Sequence, residues 1–373
     1  MSNPQRQHFI PRSYLNNFAE RDNDKYFIHA KRSGSENILN LSTKDICVDK
    51  NLYTIPTEDE KKKFDIEHFY ADKVDGVFPE VYKLLTDKTI YSIDFESRLK
   101  VISTALSLYF RTPKFLNLQN QLFEDLVSSS LSSSATEEVT VKFFNEEIKI
   151  NRNEVEQVIK ERKEHNRVKF LYQHLQSYEK FVQSKLKDNM AVYHIVDESE
   201  FITSDNPVII RPFADPTEPN FDYQQYYSQQ INPFDPSNMI HLPLDKKTIL
   251  TILPATGEHP SDYLQRMEIG KVDVLMYNSD IQKYSENWIL GTKEGIENHI
   301  SDQQTHNVVN EQNIAMVEDY QEKVLLFRDF LGVLEKYGAK SSEVKIKLEE
   351  LKKKPSIASD VNFQRYKKWI ENE

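Results

Sequence analysis

A single cysteine, Cys47, occurs in this 373-residue chain, which excludes an intramolecular disulfide and any zinc cluster built from several cysteines. Glycine is also scarce, with eight residues, and no glycine-rich phosphate-binding motif is present, so a nucleotide cofactor held by such a loop is not expected. No run of about 18 apolar residues occurs, as a membrane-spanning helix needs, and the N-terminus lacks an apolar signal segment. We therefore expect a cytoplasmic protein with no membrane partner.

Basic residues are also fewer than acidic ones. The 48 Lys and Arg residues are outnumbered by 59 Asp and Glu residues, which gives a formal net charge of −11. Such a balance does not indicate a nucleic-acid partner, although it leaves room for a local basic groove. No motif identifies a metal ion or a cofactor, and both stay open. The 21 Phe and 19 Tyr residues provide enough bulky apolar surface for a folded core.

Apolar residues recur with two periods, and each period predicts one kind of element. Spacings of three and four residues predict helices over 66–85, 95–110, 115–126, 153–187, 272–288 and 309–338. Segments rich in β-branched and aromatic residues predict strands over 26–30, 46–48, 139–150, 190–196, 201–203, 207–210, 239–242 and 248–253. We expect an α+β fold with a mostly antiparallel sheet, flanking long helices and a helical C-terminal appendage. The expected limits are a core domain of residues 1–305 and an extension of residues 306–373.

Two segments are predicted to be loops. The serine run over residues 128–134 is of low complexity and predicts a mobile loop. The aromatic and proline-rich segment from Pro212 to Pro236 predicts a long loop, and long loops in compact domains usually act as lids or binding loops. Both are expected to be sites of proteolytic cleavage.

Several motifs follow one another in a fixed order along the chain. The first has the form His-x-x-Pro-x-x-Tyr-Leu-x-x-Phe, and its residues are His8, Pro11, Tyr14, Leu15 and Phe18. The later ones are Ile46 to Tyr53, Ile66-Glu67, Arg111-Thr112-Pro113, Ser204-Asp205-Asn206-Pro207, Pro243-Leu244, and Asn278 followed by a helix to Trp288. Over residues 5 to 295 this series resembles the bacterial family known as domain of unknown function 4238. The resemblance implies no particular activity, cofactor or partner, and it leaves the tail after about residue 307 outside.

Six polar residues within these motifs are candidates for catalysis: His8, Arg12, Glu67, Arg111, Asp205 and Asn206. His8 is an acid/base candidate near neutral pH, and the two arginines are suited to binding a carboxylate or phosphate, with Glu67 orienting either of them. Asp205 and its neighbour end a strand before a proline, so we expect both side chains to project from a sheet edge into a cleft. All six are expected to converge on that cleft.

Each candidate also has a structural interpretation. Ser-Asp-Asn-Pro is typical of an Asx turn, whose side chains satisfy their own backbone. Arg111, at a helix end before a proline, is favoured to bond C-terminal carbonyl groups and to pair with Glu67. Asn278 is expected to be a buried polar tie between elements rather than a catalytic residue.

Two further motifs are weak. Ser177-x-x-Lys180, followed by Ser204-Asp205-Asn206, is similar to the motifs of penicillin-binding enzymes, but no Lys-Thr-Gly completes the set and the helix is highly charged. Arg167 and His174 lie seven residues apart, on one face of a helix, as in helical ribonucleases that act across a dimer. For this pair we favour a position on the protein surface without function.

These residues favour a hydrolase or nuclease-like enzyme with an accessory or defence role, in which His8 is the acid/base and the arginines bind an anion. The alternative is a non-catalytic binding or immunity module. It would hold a peptide or protein partner in the same cleft and with the loop Tyr223-Gln224-Gln225-Tyr226-Tyr227. A homo-oligomer formed through the C-terminal helices is a further expectation.

Overall fold

The computed structural model describes residues 6–59, 62–143, 146–213, 232–255, 262–354, 357 and 361–372. The chain divides into two compact units, Met1–Ile300 and Ser301–Glu373. Helices and mostly antiparallel strands are mixed along it, which confirms the expected α+β class.

The N-terminal region is built from short strands around one short helix. Its elements are β1 (Arg6–His8), α1 (Arg12–Leu15), β2 (Glu20–Asp22), β3 (Lys25–Arg32), β4 (Ile38–Ser42) and β5 (Val48–Lys50). β1 pairs antiparallel with β5, and His8 lies opposite Val48. Tyr14 of α1 is fully buried, and its hydroxyl lies 2.7 Å from the Thr203 hydroxyl. The aromatic residues of the first motif therefore anchor the N-terminus in the core.

Helices follow from residue 65 onward. They are α2 (Asp65–Tyr70), α3 (Phe78–Thr86), α4 (Phe95–Phe110), α5 (Pro113–Ser133) and α6 (Val155–Lys185). The single helix expected over residues 66–85 is divided, because a π-helical turn, Ala71–Asp75, separates α2 from α3. Pro113 ends α4 as expected. It is the first residue of α5, and the Thr112 hydroxyl accepts the Phe115 amide hydrogen at 3.2 Å.

The serine run is helical, so its prediction as a mobile loop was wrong. Residues up to Ser133 belong to α5, and only Ser134 lies beyond its end. Val127 is buried in a small apolar cluster against the hairpin of β6 (Glu138–Phe143) and β7 (Glu146–Asn151). Apolar packing of this face outweighs the weak helix propensity of serine.

A five-stranded sheet forms the centre of the first unit. In spatial order its strands are β10 (Ile209–Pro212), β11 (Asn238–Asp245), β12 (Thr248–Leu253), β8 (Asn189–Ile195) and β13 (Leu264–Ile269). Every pairing is antiparallel except that of β13 with β8. Its apolar residues pack in the main core together with residues of α4 and α6.

A second sheet joins the N-terminal strands to a later segment. β3 pairs with β2, β4 and β14 (Trp288–Gly291), and β14 pairs with β9 (Thr203–Ser204). The helix α7 (Lys271–Tyr284) precedes β14, so the helix expected over 272–288 ends four residues early. Asn278 of α7 binds the Ile202 amide at 3.0 Å and the Glu200 carbonyl at 2.9 Å, which confirms it as a buried polar tie.

The second unit is helical. Its elements are the end of α8 (Lys293–Tyr337), α9 (Ser342–Lys352) and α10 (Val361–Asn372). Gly338, with φ of 76°, ends α8 in the left-handed conformation that glycine adopts without strain. Phe330 is fully buried against residues of α9 and α10, among them Leu348 and Phe363.

In the described part of the chain, no helix combines the length and the apolar character that crossing a membrane requires. Cys47 is buried with a free thiol. Most of the long loop expected over 212–236, including Tyr223 to Tyr227, lies outside the described residues.

Candidate functional site

Arg111, immediately after α4, is the centre of a buried polar cluster. Its side chain is almost completely buried, and its two terminal nitrogens donate to both carboxylate oxygens of Asp75, at 2.5 and 3.3 Å. One of them also donates to the His8 carbonyl at 2.8 Å. The guanidinium lies 4.7 Å from the ring centre of Tyr70, a cation–π distance. A bidentate ion pair of this kind holds its geometry tightly.

Asp75 is the residue that sequence reasoning missed. The expected partner of Arg111 was Glu67, and that assignment of the ion pair was wrong. Asp75 is the last residue of the π-helical turn, and the wider π-helical spacing changes which side chains face the α4 end. An unbroken α-helix, as the apolar spacing predicted, gives no sign of that change.

Glu67 lies in electrostatic range of this ion pair. It is half-buried, and its Oε2 is buried with no hydrogen-bond partner in the described part of the chain. Burial raises the pKa of Glu67 and the Asp75 carboxylate raises it further, whereas the Arg111 charge lowers it. A carboxyl with a raised pKa is able to hold and release a proton closer to neutral pH.

His8 belongs to the same cluster through its carbonyl, while its ring faces elsewhere. Neighbouring side chains of a strand point to opposite faces. The Gln7 Oε1 accepts the Tyr53 amide hydrogen at 2.8 Å, and Tyr53 donates its hydroxyl hydrogen to the Arg111 carbonyl, so Gln7 faces the Arg111 side. The groups that act on the His8 ring are instead the carbonyls of residues 43 and 44 and the guanidinium of Arg12.

The electrostatics of the His8 ring favour its neutral form. Burial lowers the pKa of His8, and the positive charges of Arg12 and Arg6 lower it further, against the opposite effect of the carbonyls of Lys44 and Thr43. The Nε2 atom is buried, and no described residue bonds to it. Arg12 is exposed and forms no ion pair within the described ranges, whereas Arg6 pairs with Asp45 at 3.0 Å.

Asp205 and Asn206 follow β9 in the chain. Both are buried, and they contact the turn that precedes β14. The Asp205 carboxylate accepts the amide hydrogens of Glu286, Asn287 and Trp288, at 2.9, 2.7 and 3.1 Å. Burial raises the pKa of Asp205, although these three bonds act in the opposite direction. The expected Asx turn is present only in part. The backbone amide of Asn206 donates to Ser204 Oγ at 3.1 Å, but the Asp205 carboxylate accepts from residues 286–288 instead of from its own turn.

The six predicted residues thus lie in three neighbouring groups: Arg111 with Glu67, His8 with Arg12, and Asp205 with Asn206. The bonds that link these groups run from side chains to backbone carbonyls, not from one candidate side chain to another. Arg111 links to His8 through a carbonyl. It also precedes Lys114, whose ammonium donates to the Tyr284 carbonyl at 2.6 Å. The Asn206 side chain donates to that same carbonyl at 2.9 Å. Within the described residues, no hydrogen bond or ion pair joins the side chains of Asp205 and Asn206 to the other four candidates.

His174 extends the Arg111 cluster into the core. Its Nε2 lies 2.6 Å from the Tyr70 hydroxyl, and only 1% of the residue is exposed. The expected surface position of the Arg167 and His174 pair was therefore wrong for His174. Seven-residue spacing fixes a shared helix face but does not say which part of that face the core covers.

Acid is expected to destabilise the protein through His174. Burial, together with the Arg111 charge, lowers the pKa of His174 from 6.5 to about 3. The unfolded chain then binds the proton more tightly, so this contribution to stability is present above about pH 6.5 and is lost as the pH falls toward the folded-state pKa. The free energy of unfolding should fall by about 2 kcal/mol from this residue between pH 7 and pH 5.

Urea unfolding at both pH values tests this. His174→Gln should remove the extra loss, and His165→Gln, which changes an exposed histidine of the same helix, should keep it. Equal pH dependence in wild type and His174→Gln would contradict the assignment.

Groups of three or more His, Cys, Asp or Glu residues arranged to hold a metal ion do not occur among the residues that the structure describes. The polar side chains of the cluster are the Arg111 guanidinium, the carboxylates of Asp75 and Glu67, the His174 imidazole and tyrosine hydroxyls. Side chains of these types can in general transfer protons and bind anions.

The fold and the cluster together define an α+β protein whose N-terminal strand, helix end and β14 turn are joined by buried polar contacts. The chain belongs to the family described as protein of unknown function (DUF4238), whose model matches residues 6–295. No curated protein and no solved structure matches the chain.

Proposed function

We propose that the protein is a hydrolase acting on a phosphate-bearing substrate, with His8 as the general base and Arg12 as the anion-binding residue. The observation that carries the proposal is the His8 Nε2 atom, which is buried without a partner among the described residues, with the ring in the electrostatic field of the Arg12 guanidinium. A buried nitrogen in that state is stabilised when a water or a ligand atom bonds to it.

The lowered pKa of His8 suits a general base. A lowered pKa favours the neutral ring at pH 7, and one nitrogen of a neutral imidazole has a lone pair that accepts a proton; we assign that role to Nε2. In the proposed step, Nε2 takes a proton from water as the water oxygen attacks phosphorus. The bond from phosphorus to the leaving oxygen breaks, and the imidazolium returns the proton to that oxygen.

Arg12 is the arginine available for the phosphate. Its guanidinium is exposed and forms no ion pair with the residues that the structure describes, and its planar donors suit two phosphate oxygens, a geometry that lysine does not offer. Arg111 is already occupied by Asp75 and the His8 carbonyl, so we now assign it a structural role. It fixes the strand that carries His8.

The other candidates have supporting roles in the proposal. Glu67, with its raised pKa, is the second group able to exchange a proton, and Asp205 and Asn206 hold the turn before β14. Convergence of all six on one cleft remains a prediction.

A degradation screen tests the proposal. Wild type, His8→Ala and Arg12→Ala, with Arg21→Ala as an exposed control, are first shown to melt alike. They are then incubated with RNA, DNA and nucleotides, and their toxicity on expression is compared. General-base catalysis contributes roughly 10²- to 10⁴-fold, so His8→Ala should lose at least about 100-fold activity while Arg21→Ala keeps it. Equal behaviour of His8→Ala and wild type in every assay would rule out catalysis by His8.

That same outcome would favour the second candidate, a non-catalytic binding or immunity module using this polar surface for a peptide or protein partner.

The proposal also includes a cytoplasmic location, an accessory or defence role, and a homo-oligomer formed through the C-terminal helices. The domain limits, 1–305 and 306–373, belong to it as well. Sedimentation of the full chain tests the oligomer, and limited proteolysis tests the limits.

A further inference from the structure

A groove of about 350 Å³ lies along one side of α6. Its apolar walls are four phenylalanine rings: Phe115, Phe170, Phe181 and Phe234. The ring centres of Phe115 and Phe170 are 5.2 Å apart, and those of Phe181 and Phe234 are 5.1 Å apart with the planes nearly perpendicular. Phe234 keeps 36% of its surface exposed. The groove is thus a preformed aromatic surface that opens to solvent.

A polar stripe of α6 forms the remaining wall. Its residues are Gln173, Ser177, Lys180 and Ser184. Their spacings of four, three and four residues place them on one helix face. Ser177 and Lys180 are the Ser-x-x-Lys pair noted in the sequence. In the described part of the chain, Lys180 forms no ion pair and is the one charged residue lining the groove.

We propose that this groove binds a small planar aromatic anion, such as an aromatic carboxylate. The ring would pack against the phenylalanine walls in offset or edge-to-face contacts, and the anionic group would bind the Lys180 ammonium with the Ser177 hydroxyl beside it. The volume lies in the range of about 300–1,000 Å³ typical of small-molecule sites, which are mostly apolar with a few polar groups. The proposed role is binding, with the exposed Lys180 meeting the anionic group of the ligand.

A neighbouring groove supports the choice of ligand by contrast. It has a volume of about 580 Å³ and shares Lys180, but Glu179 and Lys73 also line it. Glu179 places a negative charge in that groove, which an anionic ligand would have to approach. Of these two grooves, the phenylalanine groove is the one whose charged lining is positive alone, and an aromatic anion complements both that charge and the aromatic walls.

Calorimetric titration of the full chain with 2-naphthoate tests the proposal. Saturable binding with one site per chain is expected, with weaker binding of 2-naphthamide, which lacks the charge, and of hexanoate, which lacks the ring. His8→Ala should bind 2-naphthoate as wild type does, so the outcome is separate from that of the proposed hydrolase.

Variants locate the binding. Lys180→Gln should weaken 2-naphthoate binding about two- to fivefold, as expected for an exposed charge pair, without affecting 2-naphthamide. Phe234→Ala should weaken both ligands about tenfold. The control Lys160→Gln, an exposed lysine elsewhere on α6, should change neither. Absence of saturable binding to wild type, or an equal effect of Lys180→Gln and Lys160→Gln, would overturn the proposal.

Discussion

Replacing Asp205 by alanine is expected to lower the free energy of unfolding by about 3–5 kcal/mol, since each buried donor left unsatisfied costs roughly 1–3 kcal/mol. The Asp205 carboxylate is the acceptor for three successive backbone amides, and the residue is only 3% exposed. Those amides form the turn that ends α7 and begins β14. Loss of the carboxylate therefore loosens the pairing of β14 with β3 and β9 as well.

Two variants make the measurement specific. Asp205→Asn keeps one oxygen acceptor and should lose about half as much. Asp197 also accepts two backbone amides, from Ser199 and Lys271, but it is exposed, and Asp197→Ala should cost about 1 kcal/mol or less. Denaturant unfolding of the three proteins gives the values. If Asp205→Ala costs no more than Asp197→Ala, the turn is not held by this carboxylate.

Removing the carboxylate of Asp75 should be the other large effect. The Arg111 side chain is 2% exposed and that of Asp75 is 31% exposed, so Asp75→Ala leaves a guanidinium buried without its counter-ion. Breaking one side of a buried pair typically costs roughly 3–5 kcal/mol, and the partial exposure of Asp75 places the expected loss near the lower figure.

The matched control for this prediction lies in the same π-helical turn. Asp72 is exposed, and Asp72→Ala should change the stability by less than about 0.5 kcal/mol. Asp75→Asn, which retains a hydrogen-bond acceptor, should fall between the two. Thermal unfolding that ranks Asp75→Ala with Asp72→Ala would show that Arg111 does not depend on Asp75.

The sequence predicted the helices and strands well wherever apolar periodicity was strong. The hairpin after α5, the long helix α6 and four of the five strands of the central sheet lie close to their predicted bounds, whereas β13 was not predicted. The errors occurred where tertiary contacts override local preference. Asp205, some eighty residues earlier in the chain, fixes the backbone after Tyr284, and nothing within residues 272–288 encodes that contact. The buried Val127 similarly draws a serine-rich segment into α5.

The candidate residues were chosen by type and motif, and their partners were not predictable from the sequence. Arg111 and Glu67 do lie in one electrostatic neighbourhood. The counter-ion, however, is Asp75, because one extra residue in the turn 71–75 changes which carboxylate meets the guanidinium. For His8, the direction of the ring depends on strand alternation relative to Gln7, which the motif does not specify.

The pH dependence of kcat/KM, in wild type and in Arg12→Gln, tests the account of His8 most directly, with the substrate found in the screen. If neutral His8 is the general base, kcat/KM rises with pH to a plateau, and the midpoint of the rise lies below the ordinary histidine value near 6.5. Removing the Arg12 charge removes one cause of the lowered pKa, so the midpoint should move upward while burial keeps part of the shift. A midpoint that stays unchanged in Arg12→Gln, or a profile that His8→Ala reproduces, would contradict the account.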